Sequence, residues 1–183
     1  MTELKKSREE IINKAEELGT EYEARYKGCC QSTFLAIVDA LRWGGLEIIP
    51  EAAEDSMYPG VSVLTAGVAL TGEGTCGAVS GSAMAMGLAS GFSRESQNIQ
   101  AFHDACVTVR NTILDQYYKE YGSILCKDVQ RKFFGKAWNL ADDAMSAEFL
   151  SITQGCTIMQ TARWTTGYIL DEFTKGTLYK SSS

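Results

Sequence analysis

The apolar positions of this chain recur at spacings of three and four residues almost from end to end, which predicts helices rather than strands. Ser7 with Glu10 forms a capping-box pattern that opens a charged helix running to about Lys27. A second helix starts near Cys29 or Cys30 and carries Phe34, Ile37, Val38 and Leu41 on one stripe. Cys30 falls on that stripe, four residues before Phe34, while Cys29 is turned about 100° away. Gly44-Gly45 ends the helix, and Pro50 and Pro59 are placed in the loop that follows. The run Val61 to Leu70 fits helix or strand on period alone. Thr75 reads as the N-cap of a helix of small residues and Met ending at Gly91. After Ser93, a long helix to Tyr121 puts Ile99, Phe102, Cys106, Val109, Ile113 and Tyr117 on its inner face. Gly122 ends it, Ser123 caps the next, and a last helix runs from about Cys156 to Phe173. No repeat, linker or shift of composition divides the chain. The expected fold is all-α, a single domain over residues 1–183 built as a bundle of about six to eight helices.

Composition narrows the function. A chain of 183 residues, 45% hydrophobic and 22% charged, suits one soluble domain with a core of its own. A net charge of −6, with basic residues scattered rather than striped, speaks against nucleic acid and against an anionic membrane surface. The start, M-T-E-L-K-K-S-R-E-E, carries no apolar run and is not read as a secretory signal. The small-residue helix after Thr75 is shorter than the ~20 residues a membrane span needs. A cytoplasmic setting is expected, in which six cysteines stay reduced and a structural disulfide framework does not form.

Those cysteines carry the chemistry. Cys30, Cys76, Cys126 and Cys156 each follow a glycine by one to four residues, where a helix begins. A thiol in a first turn faces unpaired N–H groups and the positive end of the helix dipole, and both favour the thiolate. In the helix after Thr75, Cys76, Ser80, Ala83 and Gly87 share one face, and Gly77, Gly81, Met84 and Leu88 share the next. Glycines four apart admit another backbone, and the small face beside Cys76 leaves room for a cluster, a ligand or a second thiol. Gly77, Ser80 and Gly81 are therefore expected on the cofactor side of the site. Arg163, seven residues after Cys156 and about 10 Å along the same face, is placed to hold a thiolate or an anionic ligand. Cys106, mid-helix on an inner stripe, reads as core, and the lone His103 as structural.

Other chemistries lack their parts. G-E-G-T-C-G, Gly72 to Gly77, satisfies G-x-G-x-x-G without the βαβ unit or the acidic residue that a dinucleotide site needs. With one histidine there is no H-E-x-x-H, no Cys-x-x-Cys-His and no Ser-His-Asp arrangement. Acid–base hydrolysis is poorly provided for.

The cysteine pattern resembles the C_GCAxxG_C_C family of redox-active proteins. The first cysteine of the pattern is matched to Cys30 in C-C-Q-S-T-F-L-A-I. The signature C-G-A-x-x-G is matched to Cys76, Gly77, Ala78 and Gly81, the third cysteine to Cys126 in Y-G-S-I-L-C-K-D, and the fourth to Cys156 in G-C-T-I-M-Q-T-A. The likeness spans about Lys27 to Arg163, and Cys29 and Cys106 depart from the pattern. It implies a small helical bacterial or archaeal protein with a redox role, linked in some relatives to an iron–sulfur centre.

Three functions stay open. The first is electron transfer by an iron–sulfur cluster or other metal, with three or four of Cys30, Cys76, Cys126 and Cys156 as ligands. Their separations are far from compact C-x-x-C ligand runs, so the fold would have to assemble the site. The second is a metal-free thiol–disulfide oxidoreductase working with a redox partner protein. The third is a non-enzymatic helical domain whose cysteines bind zinc or pack. The four cysteines are expected to meet in space, and aromatic residues near Trp138 to serve a homodimer.

Overall fold

The computed structural model describes residues 3–95, 99–152 and 157–177. Helix α1 (Arg8–Tyr26) begins at Ser7, whose hydroxyl accepts from the Glu10 amide while the Glu10 carboxylate accepts from the Ser7 amide. Lys27 closes α1 in a left-handed conformation, and Gly28 caps α2 (Cys29–Trp43). There follow α3 (Glu51–Ser62), α4 (Gly77–Ser90), α5 (Ile99–Val109), α6 (Asp115–Tyr121), α7 (Cys126–Phe134), α8 (Asp143–Ile152) and α9 (Ile158–Lys175). A π turn, Arg110–Leu114, makes α5 and α6 one continuous rod. The fold is all-α, with eight helical rods and no strand among the described residues. An isolated antiparallel bridge joins Thr75 to Leu125. Among these residues no helix is long and apolar enough to cross a membrane.

Helix α2 is the centre of the bundle. It packs against α1, α4 and α9, and its side chains from Cys30 to Val38 are buried. The approach of α4 to α2 depends on the absence of side chains. A Cβ on Gly81 would lie 2.4 Å from the Cys30 carbonyl oxygen, and one on Gly77 would lie 2.3 Å from the Cys29 sulfur. The glycine spacing in the sequence thus works as a close helix contact.

Beside this main core stands a smaller cluster of Ala66, Cys126, Trp138 and Leu140, flanked by Phe134 and Phe149. The main core holds Cys30 and Cys76, and the smaller one holds Cys126.

Several expectations give way. Pro59 sits inside α3 rather than in a loop. The run Val61 to Leu70 is neither strand nor continuous helix. It leaves α3 and winds through five consecutive residues of positive φ: Ala66 (51°), Gly67 (75°), Val68 (67°), Ala69 (51°) and Leu70 (66°). The predicted inner face of the long helix is inner only in its second half. Ile113 and Tyr117 are fully buried, whereas Ile99 is 88% exposed and Phe102 and Cys106 are also exposed. A π turn takes up an extra residue, so the stripe before it is rotated by about 100° from the stripe after it. Trp138 is buried against Phe134 and Phe149 rather than exposed, while Phe133 beside them is exposed.

Candidate functional site

Three cysteine-bearing helix starts lie around one cavity. Cys29 opens α2, Cys76 caps α4 and Cys126 opens α7. Short backbone pairing fixes two of these starts side by side. The Cys76 amide donates to the Ile124 carbonyl at 2.8 Å, and the Cys126 amide donates to the Gly74 carbonyl at 2.9 Å. Segments far apart in sequence are thereby clamped at the two thiols. The cavity measures about 380 Å³, and Cys29, Cys76 and Cys126 line it together with Thr65, Gln130 and Thr157.

Cys29 has the most developed surroundings. The Cys29 amide donates to Thr65 Oγ1 at 2.9 Å, which leaves the Thr65 hydroxyl proton for the Cys29 sulfur at 3.1 Å. The Ala66 amide points at the same sulfur from 3.5 Å. Hydrogen bonding from the Cys76 thiol holds the Cys29 thiol well below the ordinary thiol range. Burial opposes this, and the Ala66 amide, the Thr65 hydroxyl and the Gly77 amide reinforce it. Thiolate is the form that attacks electrophiles and binds metals.

Its neighbours shift the other way. Burial, with the Cys29 charge added, pushes the Cys30 thiol up to about 12. The same two causes push Cys126 up to about 12, against a hydrogen bond from Gln130. Gln130 is buried and held at both ends. It donates Nε2 to the Cys126 sulfur at 3.3 Å and accepts from the Trp138 amide at 2.9 Å. Cys76 Sγ lies 3.7 Å from the Thr157 hydroxyl, and burial drives the nearby Tyr117 phenol upward.

The residues singled out from sequence are thus distributed unevenly. Cys76 and Cys126 line the cavity, and Cys156 lies outside the described residues, one position before the cavity-lining Thr157. Cys30 is fully buried in the main core, and Cys29 takes the place at the cavity expected for it. A stripe shared with Phe34 and Ile37 is a stripe that faces the core, so the sulfur free for chemistry is the one turned off it. Gly77 touches the Cys29 sulfur and Gly81 touches the Cys30 backbone, so the room beside Cys76 is filled by a second thiol. Ser80 is half-buried and is not among the described cavity-lining residues. Arg163 reaches α1 instead of sulfur, bonding Asn13 at 2.6 Å, Glu16 at 2.7 Å and Glu9 at 3.1 Å. His103 is exposed beside Asp104. Thr65 and Gln130 were not legible as site residues, since nothing local distinguishes a hydroxyl or amide that will meet sulfur from one that will meet water.

Residues 27–166 match the family model described as "Putative redox-active protein (C_GCAxxG_C_C)". The chain belongs to that family. The span matched to the C_GCAxxG_C_C model takes in α2 to α8 and the first half of α9, and with them all the cavity cysteines. No curated protein and no solved structure matches the chain.

Proposed function

We propose that the protein is a dithiol redox centre in which Cys29 is the attacking thiolate and Cys76 its resolving partner. The observation that carries this reading is the set of donors on one sulfur: the Thr65 hydroxyl, the Ala66 and Gly77 amides and the Cys76 thiol. A sulfur given four donors is stabilised as an anion beside a second thiol. Cys29 attacks one sulfur of an acceptor disulfide, forms a mixed disulfide and expels a thiolate. Cys76 then attacks the Cys29 sulfur, its proton passing to the second departing thiolate. Two electrons move to the acceptor, and a Cys29–Cys76 disulfide remains.

The test is peptide mapping of the reduced protein after one equivalent of a disulfide oxidant. The expected product is the Cys29–Cys76 cross-link, and Cys76→Ser is expected to stop at a mixed disulfide on Cys29. Oxidation that bypasses this pair would overturn the reading.

A second reading, an iron–sulfur centre or a single soft metal ion, is favoured by three thiols that reach one cavity from three helix starts. Cys29, Cys76 and Cys126 would hold the group, with Cys156 as fourth ligand, and when bound it would supply one-electron transfer. Among the described residues no three of Cys, His, Asp and Glu are grouped to hold one metal ion, so this reading depends on Cys156. Visible absorption and metal content of protein purified without oxygen separate the two.

A further inference from the structure

The cavity has the size of a site for a small organic molecule, at about 380 Å³. Three of its polar groups are already committed to the cavity cysteines. Thr65 Oγ1 lies 3.1 Å from Cys29, Gln130 Nε2 3.3 Å from Cys126 and Thr157 Oγ1 3.7 Å from Cys76. Most of what is left for a guest is hydrocarbon, from Leu70, Val129, Leu140, Phe149, Leu150 and Ile158, with the hydroxyls of Thr20 and Ser146 beside it. Among the described lining residues, charge is confined to Glu23 and Lys27 near the end of α1. Away from that end a polar guest would give up its hydration for few partners, whereas an apolar one gains from leaving water.

The depth of the thiols adds a second constraint. Cys76 is 4% exposed and Cys126 6%, so the resolving thiol is deep, while the attacking Cys29 is half-buried on the cavity wall. The mixed disulfide on Cys29 must then meet Cys76 inside the cavity, between α8 and the left-handed turn, where the bulk of a folded protein is hard to seat. A free small molecule meets no such obstacle.

We propose that the cavity binds a low-molecular-weight disulfide with an apolar body, and that this molecule, not a protein, is the electron acceptor. The inference rests on the dithiol reading of Cys29 and Cys76. The acceptor R–S–S–R is cleaved to two thiols. One takes its proton from Cys76 and the other from water, and the two electrons come from the Cys29 and Cys76 sulfurs as they join. A soluble dithiol reductant returns the pair to its starting state.

The test compares three disulfides on the full-length reduced protein: 4,4′-dithiodipyridine, oxidised glutathione and insulin. The readout is the rate at which the Cys29–Cys76 bond appears by peptide mapping, each rate divided by that of the same disulfide with a free model thiol. The aromatic disulfide is expected to lead by about tenfold or more, the discrimination a hydrophobic pocket supplies. Leu150→Glu, on the exposed side of the wall, is expected to remove most of that lead with the helical circular dichroism unchanged, and Leu70→Glu serves as a second wall variant. Equal or faster reaction with glutathione or insulin would overturn the inference, as would a lead that survives both substitutions. If iodoacetamide labels Cys29 no faster than the exposed Cys106, and no disulfide yields the cross-link, the dithiol reading itself fails and the acceptor falls with it.

Discussion

The two hydrophobic clusters that meet at the sulfurs are built by different means. The main core is regular helix against regular helix, brought close by Gly81 against the Cys30 carbonyl. The smaller cluster is mostly irregular backbone gathered around rings, with Trp138 centred 5.5 Å from Phe134 and 5.3 Å from Phe149. The first can hold donors in fixed positions, and the second can form a wall with space inside it. Adjacent cysteines divide along this line. Cys30 belongs to the close-packed side and its thiol is pushed up, while Cys29, one residue earlier, faces the seam and its thiol is pulled down. Between these two neighbours, what the thiol can do is set by the surface it faces, not by its place in the motif.

The sharpest way to break the comparison is to exchange the two sulfurs for oxygen. Cys29→Ser is expected to abolish dithiol oxidation with little change in fold. Cys30→Ser should leave it in place and cost about 1–2 kcal/mol for a hydroxyl buried among hydrocarbon. Chemical denaturation and peptide mapping measure both. If Cys30→Ser were the inactive one, the division would be wrong.

Glycine packing gives the next effect. Gly81→Ala sets a methyl against backbone and is expected to cost about 3 kcal/mol. Gly87→Ala, on the same helix with nothing within 4 Å, should gain up to about 1 kcal/mol from helix propensity. Equal effects in thermal melts would show that α4 does not press on α2 as described.

The pH dependence sharpens the contrast further. Cys29 is lowered in the folded state, so the unfolded chain binds the extra proton and stability from this group rises with pH until an unfolded thiol also ionises, near 9. Cys30 and Cys126 are raised to about 12, so their contribution is complete below 9 and declines from there toward 12. Denaturation of wild type against Cys29→Ser across pH should show the rising limb only in wild type. The smallest effect is expected from Arg163→Gln, about 0.5 kcal/mol from its ion pairs with α1, with no change in Cys29 alkylation rate. A slowed Cys29 would restore Arg163 to the site.

Much of this architecture is visible in the chain itself. Helix periods, the Ser7–Glu10 cap and the glycine pair of α4 are local or nearly local signals, and the helices they imply are the ones that form. Cys76 and Cys126 were legible for the same reason, since a glycine-marked helix start is written in a few consecutive residues. The choice between Cys29 and Cys30 was not, because it turns on which face of α2 the rest of the fold covers. Arg163 shows the same limit: its own helix places it correctly, but α1 supplies the carboxylates that take it. The five left-handed residues carry no local signal, as Val68 and Leu70 favour the opposite hand.

That last feature has a meaning in chirality. From Ala66 to Leu70 the backbone follows the path that D-residues would take unstrained, and for L-residues it costs on the order of 1–2 kcal/mol each, with only Gly67 exempt. The Ala66 amide that reaches the Cys29 sulfur is the first of this stretch. A mirror-image residue placed at Val68 by chemical synthesis would therefore settle the turn more comfortably than the natural one does. Nature's L-valine there leaves part of the folding energy wound into the strand of chain that grips the thiolate.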